Sequence, residues 1–195
     1  FDAAELSPPE TATLDRAVDE KTPLTFAGRN LRVIETPGHT LGHIVYFLPD
    51  EELAFTGDTL FALGCGRIFE GDAEAMWAGI QKILALPATT TIYCGHEYTV
   101  ANAKFALTIE PGNDKLVART AEVVALRARD QLTQPTRVDI ELETNPFLRP
   151  AVPAIRERLG MAPVDATVVQ RLEAPLELTC QLRVDLEAGR NGDEL

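Results

Sequence analysis

Residues 31–48 read LRVIETPGHTLGHIVYFL, two β-prone runs on either side of a loop that carries two glycine–histidine pairs. The first run, Leu31–Thr36, follows Leu24–Ala27 across Gly28-Arg29-Asn30, a spacing that predicts a hairpin. The second, Ile44–Leu48, is continuously apolar, as expected of a strand covered on both faces. Further strands are expected at Leu53–Thr56 and Thr91–Cys94. Between them Asp72 is placed to cap a helix over 73–86, with Met76, Ile80, Ile83 and Leu84 on one stripe and Pro87 ending it. Strands alternating with a helix in this way predict an α/β unit.

Each of the three histidines follows a glycine: Gly38-His39, Gly42-His43 and Gly95-His96. With 13 glycines among 195 residues, three such neighbours arise by chance roughly 3 times in 10,000, and glycine is what a chain uses to turn tightly beside a bound group. His39 comes just after Leu31–Thr36, Asp58 follows Leu53–Thr56 through Gly57, and His96 follows Thr91–Cys94 through Gly95. Three potential ligands therefore leave the carboxyl ends of three expected strands, where α/β proteins gather reactive groups. Two imidazoles and a carboxylate suit zinc, iron or manganese, and no all-thiolate spacing of a structural zinc site occurs. His43, four residues past His39 and leading into the apolar strand, is expected to support a ligand or fill the core.

The remainder of the chain reads differently. Val117, Ala121, Val124, Ala128 and Leu132 predict an amphipathic helix capped near Asn113-Asp114 and finished before Pro135. Shorter helices are expected around 151–159 and 166–173, with Tyr98 to Gly112 as a junction. The expected organisation is an α/β domain over 1–96, holding every histidine, and a helical domain over 97–195. With 18 Lys+Arg against 30 Asp+Glu, the charge of −12 disfavours nucleic acid or an anionic membrane as partner, since either requires a basic face. The longest apolar run falls far short of the ~20 residues of a membrane span. The opening FDAAELSPPE carries acids and prolines where an export signal would be basic and then apolar. Three cysteines, an odd number, do not fit a disulfide framework and point to a reducing, cytoplasmic compartment. Cys65 and Cys94 have no evident base beside them and are expected to be buried structural thiols.

TPGHTLGH (36–43), FTGDTLF (55–61), GCGRIFEG (64–71) and CGHEYT (94–99), in this order, resemble successive motifs of the metallo-β-lactamase-fold hydrolases, in particular the glyoxalase II (hydroxyacylglutathione hydrolase) family. NAKFAL (102–107), EPGN (110–113) and NPFLR (145–149) continue the resemblance, which spans about residues 22–160. It implies a metallo-β-lactamase-type αββα sandwich followed by a small helical domain. It also implies hydrolysis of S-(2-hydroxyacyl)glutathione thioesters, S-D-lactoylglutathione to D-lactate and glutathione, by two divalent metal ions that acidify a water. Zinc is the first expectation, iron or manganese the alternatives. The resemblance makes His39 a ligand of one ion, His96 a ligand of the other, and Asp58 the bridging, catalytic carboxylate. Arg67 and Tyr98 stand where the family contacts glutathione. Phe69 stands where some relatives carry a Tyr, so it can pack its ring on the substrate but has no hydroxyl to offer. Arg183 matches a carboxylate-binding Arg, although the Lys expected three residues later is Leu186. The implied partner is a glutathione thioester, acted on by a monomer.

The family's upstream H-x-H-x-D-H motif, source of four ligands, has no counterpart in the sequence. The resemblance therefore predicts a chain lacking the first several dozen residues of a complete member, inactive alone, with one sheet face uncovered. Two other readings stay open. Two histidines and a carboxylate are also the facial triad of a mononuclear iron persulfide dioxygenase on the same fold, and the polypeptide could be a non-catalytic fragment.

Overall fold

The computed structural model describes residues 17–161. Its strands are β1 (Leu24–Phe26), β2 (Arg29–Glu35), β3 (Ile44–Leu48), β4 (Leu53–Gly57), β5 (Leu60–Phe61), β6 (Gly64–Cys65), β7 (Thr91–Cys94) and β8 (Thr136–Arg137). The α-helices are α1 (Ala73–Leu84), α2 (Thr99–Ile109), α3 (Asp114–Arg127), α4 (Val138–Thr144) and α5 (Pro153–Arg158). One sheet runs in the order β1-β2-β3-β4-β7-β8, and β5 with β6 forms a small ribbon. Neighbours through β4 are antiparallel, β7 lies parallel to β4, and β8 closes the edge antiparallel to β7.

The β1–β2 turn is tighter than its sequence suggests. Phe26 pairs with Arg29, leaving Ala27 and Gly28 as the two turn residues, at φ 51° and 76°. Positive φ at both positions gives the turn whose twist matches the flanking strands. Arg29 and Asn30 consequently extend β2 instead of belonging to the turn.

Helix α1 begins as expected, with the Asp72 carboxylate accepting the Ala75 N–H at 2.8 Å, a cap worth about 1 kcal/mol. Met76, Trp77, Ile80 and Ile83 pack against Ile34, Val45, Phe47, Ala54 and Ile92 on one face of the sheet. Burial of each large side chain there contributes about 1.5–3 kcal/mol. The opposite face is different. Val33, Tyr46, Phe55 and Tyr93 lie in register across β2, β3, β4 and β7, and the Phe55 and Tyr93 rings stack at 5.5 Å while 44% and 40% exposed. So β3 is closed fully on the α1 face only: Val45 and Phe47 are buried, Ile44 and Tyr46 half-buried. Among the described residues this is one sheet under one helical layer, with an aromatic face left open.

Within the stretch 98–112, expected as a junction, Thr99–Ile109 forms α2, because nothing there breaks a helix before Pro111-Gly112. Helix α3 is capped by Asn113, whose side-chain oxygen accepts from the Lys115 and Leu116 N–H groups. Its buried residues are Leu116 and Val123; Val117 and Val124 point outward, and Leu132, beyond its end, is 70% exposed. The expected stripe is therefore rotated by one position. Leu116 packs with Leu63, Ala103 and Ala106, and the same rotation aims Arg119 inward at Glu141. That carboxylate is fully buried. One oxygen accepts from Leu63 N–H and Asn145 Nδ2, both at 2.9 Å, and the other from the Thr136 hydroxyl and the Arg119 guanidinium. It ties the helical half to the β5–β6 ribbon. The expected 151–159 helix is α5; the 166–173 helix lies outside the described residues. No helix of the described residues is long and apolar enough to cross a membrane.

Candidate metal centre

The sheet order brings three loops to one rim. β4 and β7 are parallel, with Gly57 opposite Cys94, so Asp58 and Gly95-His96 emerge side by side. β2 is separated from β4 by the antiparallel β3, which points its carboxyl end, and hence Thr36–His39, the same way. The geometry then follows from the backbone. His39 Nε2 stands 3.5 Å from Asp58 Oδ2, and His96 Nε2 stands 3.4 Å from Asp58 Oδ1. Each imidazole faces its own oxygen of one carboxylate.

The tautomer of His39 is fixed by a carbonyl. Nδ1 donates to the Arg67 oxygen at 2.7 Å, so in the neutral ring the lone pair is on Nε2, the atom that faces Asp58. His43 is oriented the opposite way round: its Nε2 accepts the Asp58 N–H at 3.1 Å, and Nδ1 lies 2.9 Å and 3.1 Å from the Thr59 and Thr36 hydroxyls. It holds the Asp58 backbone, as expected of a support for a ligand. Gly57 permits this: at φ 49°, a Cβ there would meet His43 Nε2 at 2.9 Å. Gly95 is equally constrained, since its Cβ would stand 2.6 Å from Asp58 Oδ1.

The donor set of these residues fits divalent metal binding. Asp58 Oδ1 is buried and receives no hydrogen bond. Two donors about 2.0–2.2 Å from one tetrahedral ion stand roughly 3.3–3.6 Å apart, which is the spacing of each His–Asp pair and longer than a charge-assisted hydrogen bond. No three donors among the described residues close around a single ion; His39 and His96 each face one oxygen of Asp58.

Aromatic rings flank the rim on both sides. The Phe69 ring lies 4.8 Å from His39, with the Arg67 guanidinium 5.7 Å above it. Tyr98 stacks on His96 at 4.8 Å and 18°, and Phe61 meets Tyr98 edge-on at 5.4 Å. Arg67, Phe69 and Tyr98 are exposed. Burial pushes the Cys94 thiol up, against weaker hydrogen bonds that lower it. Glu97 is pushed up by burial, but hydrogen bonds from the Thr133 hydroxyl and amide and the Thr99 hydroxyl outweigh this and leave it below the usual carboxylate range.

Residues 6–96 match the model of the metallo-β-lactamase superfamily, and residues 97–175 that of the hydroxyacylglutathione hydrolase carboxy-terminus. The hydroxyacylglutathione hydrolase of Brucella anthropi is 51% identical over 159 residues, 80% of this chain and 61% of that protein. Those of Rhizobium johnstonii and Mesorhizobium japonicum are 54% and 53% identical over 148 residues, 76% of this chain and 58% of each. The chain belongs to the hydroxyacylglutathione hydrolase family of the metallo-β-lactamase superfamily. It spans about three fifths of the length of these relatives. Among solved structures, a B3 metallo-β-lactamase is 26% identical with a TM-score of 0.47, over 69% of this chain and 48% of that one.

Of the residues expected to serve a hydroxyacylglutathione hydrolase, the fold brings His39, Asp58 and His96 together at one rim and sets Phe69 and Tyr98 against the two imidazoles. Arg183 lies outside the described residues. Three contributors were missed from sequence. The Arg67 carbonyl orients His39, Phe61 backs Tyr98, and Gln134 accepts the Cys94 N–H and donates to the His96 carbonyl, one on each side of Gly95. Phe61 at least falls within the quoted FTGDTLF motif; a backbone carbonyl and a glutamine 38 positions from His96 leave no sequence signal.

Proposed function

We propose that this chain carries the carboxylate-bridged part of a thioester hydrolase acting on S-(2-hydroxyacyl)glutathione, with S-D-lactoylglutathione as reference substrate. The observation that carries the proposal is Asp58 standing between two imidazoles, one per oxygen, at ion-sharing distances. His39 with Asp58 Oδ2 and His96 with Asp58 Oδ1 would each hold one divalent ion, zinc first and iron or manganese as alternatives, with the other donors coming from elsewhere. Bound there, such ions supply Lewis acidity toward a thioester carbonyl and lower the pKa of water. The division of labour follows the chain, the ligands coming from residues up to His96 and the bracing from the helical residues after it, among those described.

The protein's own residues bind and orient the substrate. Glutathione is anionic and the chain carries −12, so attraction must be local, and the exposed Arg67 guanidinium supplies it at the mouth. Phe69 offers its ring face to the same moiety, Tyr98 its ring edge and hydroxyl on the far side, and Arg183 a further carboxylate contact. A thiolate leaves readily, so no protein nucleophile is needed. The raised Cys94 thiol is unsuited to that role in any case. A facial triad requires all three donors on one ion; here each imidazole faces a different oxygen, which favours the hydrolase over the dioxygenase.

The test has two arms. The 195-residue chain is supplied with zinc, manganese or iron and assayed for metal content, thioester cleavage and oxygen uptake. The same assays are run on the chain completed at its amino terminus from the Brucella anthropi relative. Two ions and cleavage in the completed protein are expected, with little turnover by the chain alone. One iron with oxygen uptake would overturn the assignment.

A further inference from the structure

We propose that Gln134, a residue of the helical half, is a positioning residue for His96, and that its side-chain amide does this by standing in for a missing peptide group of the sheet. That His96 is a ligand rests on the proposed function; the placement of its backbone is independent of it.

Strand β8 pairs with β7 at Thr91↔Arg137 and Ile92↔Thr136. Continuing that register would set Tyr93 opposite Pro135 and Cys94 opposite Gln134. The Val138 N–H bonds to the Thr90 carbonyl, and the Thr91 N–H to the Glu52 carbonyl preceding β4. Bonded pairs alternate, so Tyr93–Pro135 is not one of them, and the next ladder bonds would fall at Cys94 and Gln134, outside β8. The Gln134 carboxamide takes over with the same complement of one acceptor and one donor. Its Oε1 accepts the Cys94 N–H at 3.2 Å, and its Nε2 donates to the His96 carbonyl at 2.6 Å. Next to it, Thr133 donates its N–H to Glu97 Oε2 at 3.0 Å and its hydroxyl to Oε1. Residues 133–134 thus grip 94 to 97 on both sides of the histidine.

His96 needs such a hold more than His39 does. The His39 side chain is 9% exposed and its ring is anchored through Nδ1 on the Arg67 carbonyl. The His96 side chain is 50% exposed, and among the described residues its ring is contacted by the stacked Tyr98 and by Phe61 without a hydrogen bond to fix its rotation. It also follows Gly95, the residue type with the widest backbone freedom. The direction of the ring therefore depends on the backbone around it, and the Gln134 amide holds that backbone at the Cys94 N–H before Gly95 and at the His96 carbonyl after it.

The experiment compares the 195-residue chain with Gln134→Met, which removes both hydrogen bonds at similar volume, and Gln134→Glu, which keeps the acceptor toward Cys94 and removes the donor toward His96. Each protein is labelled with 15N. The ring resonances of His39 and His96 are read without metal and during titration with zinc chloride against a chromophoric chelator, alongside Tm. Gln134→Met is expected to shift the His96 ring and amide resonances, to leave those of His39 in place, and to weaken one zinc equivalent by about 10–100-fold. Gln134→Glu is expected to fall between. Unchanged His96 resonances with zinc affinity within about twofold of the parent would overturn the proposal, even if Tm drops, because the bonds would then serve stability alone. If Gln134→Met does not fold, Gln134→Glu decides by the same criteria. Should zinc perturb neither histidine in the parent chain, the ion-ligand reading fails, while the metal-free spectra still decide whether Gln134 sets His96.

Discussion

Replacing Gly95 by alanine separates the metal site from the fold that carries it. A Cβ at this position would stand 2.6 Å from Asp58 Oδ1 and 3.4 Å from the Gly57 carbonyl group. The second distance is tolerable and the first is not. Contacts of a Cβ are seldom closer than 3.0–3.4 Å, so the carboxylate must retreat by about 0.4–0.8 Å, whereas metal ligands are held to about ±0.2 Å. The displacement exceeds that tolerance at the bridging atom itself. Because Oδ1 faces His96 and Oδ2 faces His39, the ion on the His96 side is lost first. Stability moves little: forcing Asp58 off its rotamer costs about 0.5–1.5 kcal/mol, and the narrower unfolded ensemble of alanine returns about 0.4–1 kcal/mol. Zinc stoichiometry by equilibrium dialysis, with Tm followed by the fluorescence of Trp77, the single tryptophan, tests both halves of the expectation. A Gly95→Ala protein that binds zinc as the parent does, or one that fails to fold, would refute the reasoning.

Glu141→Ala strands the half-buried Arg119 guanidinium and the buried Leu63 and Asn145 donors, and should destabilise the protein by about 3–5 kcal/mol in urea titrations followed by Trp77 fluorescence; a loss under about 1 kcal/mol would show that the network carries no weight. Arg67→Ala in the completed enzyme should raise KM for the thioester far more than it lowers kcat, and equal losses in kcat and kcat/KM would contradict ground-state binding. Leu116→Ala should cost about 2–5 kcal/mol, while Val124→Ala, on the outward stripe of α3, should stay within about 0.5 kcal/mol; the reverse order in denaturant melts would restore the rotated register that the sequence suggested.

The meeting of His39, Asp58 and His96 at one rim was legible because its signals are local. A glycine before each histidine, and a strand before each of His39, Asp58 and His96, need only nearest neighbours and the period-2 pattern to be read. The α1 cap at Asp72 and the β3 and β7 boundaries are of the same kind. What failed depended on partners far away in sequence. The stripe Val117–Val124 and the stripe Leu116–Val123 are equally helical, and the choice is made by Glu141, 22 residues beyond Arg119. The open aromatic face could not be read from IVYFL either, since a run apolar on both faces does not say whether both are covered. Tyr98–Gly112 was read as a junction because it lies between the last expected strand and the helix expected from Val117, although it holds no helix breaker before Pro111.

The three proposed ligands are not held alike, and the difference runs along the chain. His39 is fixed by its own half: Arg67 O receives its ring proton, Phe69 N–H donates to its carbonyl at 3.1 Å, and Glu70 caps the Leu41 N–H at 2.8 Å. Asp58 is fixed by His43 from beneath and by the absence of side chains at Gly57 and Gly95. His96 alone depends on residues beyond position 130, through Gln134, Thr133 and the edge strand β8. Ligands must be kept within about 0.5 Å of their productive positions, so damage to the helical half should reach the His96 ion while leaving the His39 half-site intact. On the proposed function, that asymmetry would give the helical half a part in holding metal beyond the glutathione contacts proposed for it. It also makes the stretch 133–145, which supplies both the Gln134 clamp and the buried Glu141 tie to the β5–β6 ribbon, the segment on which the geometry of the rim most depends.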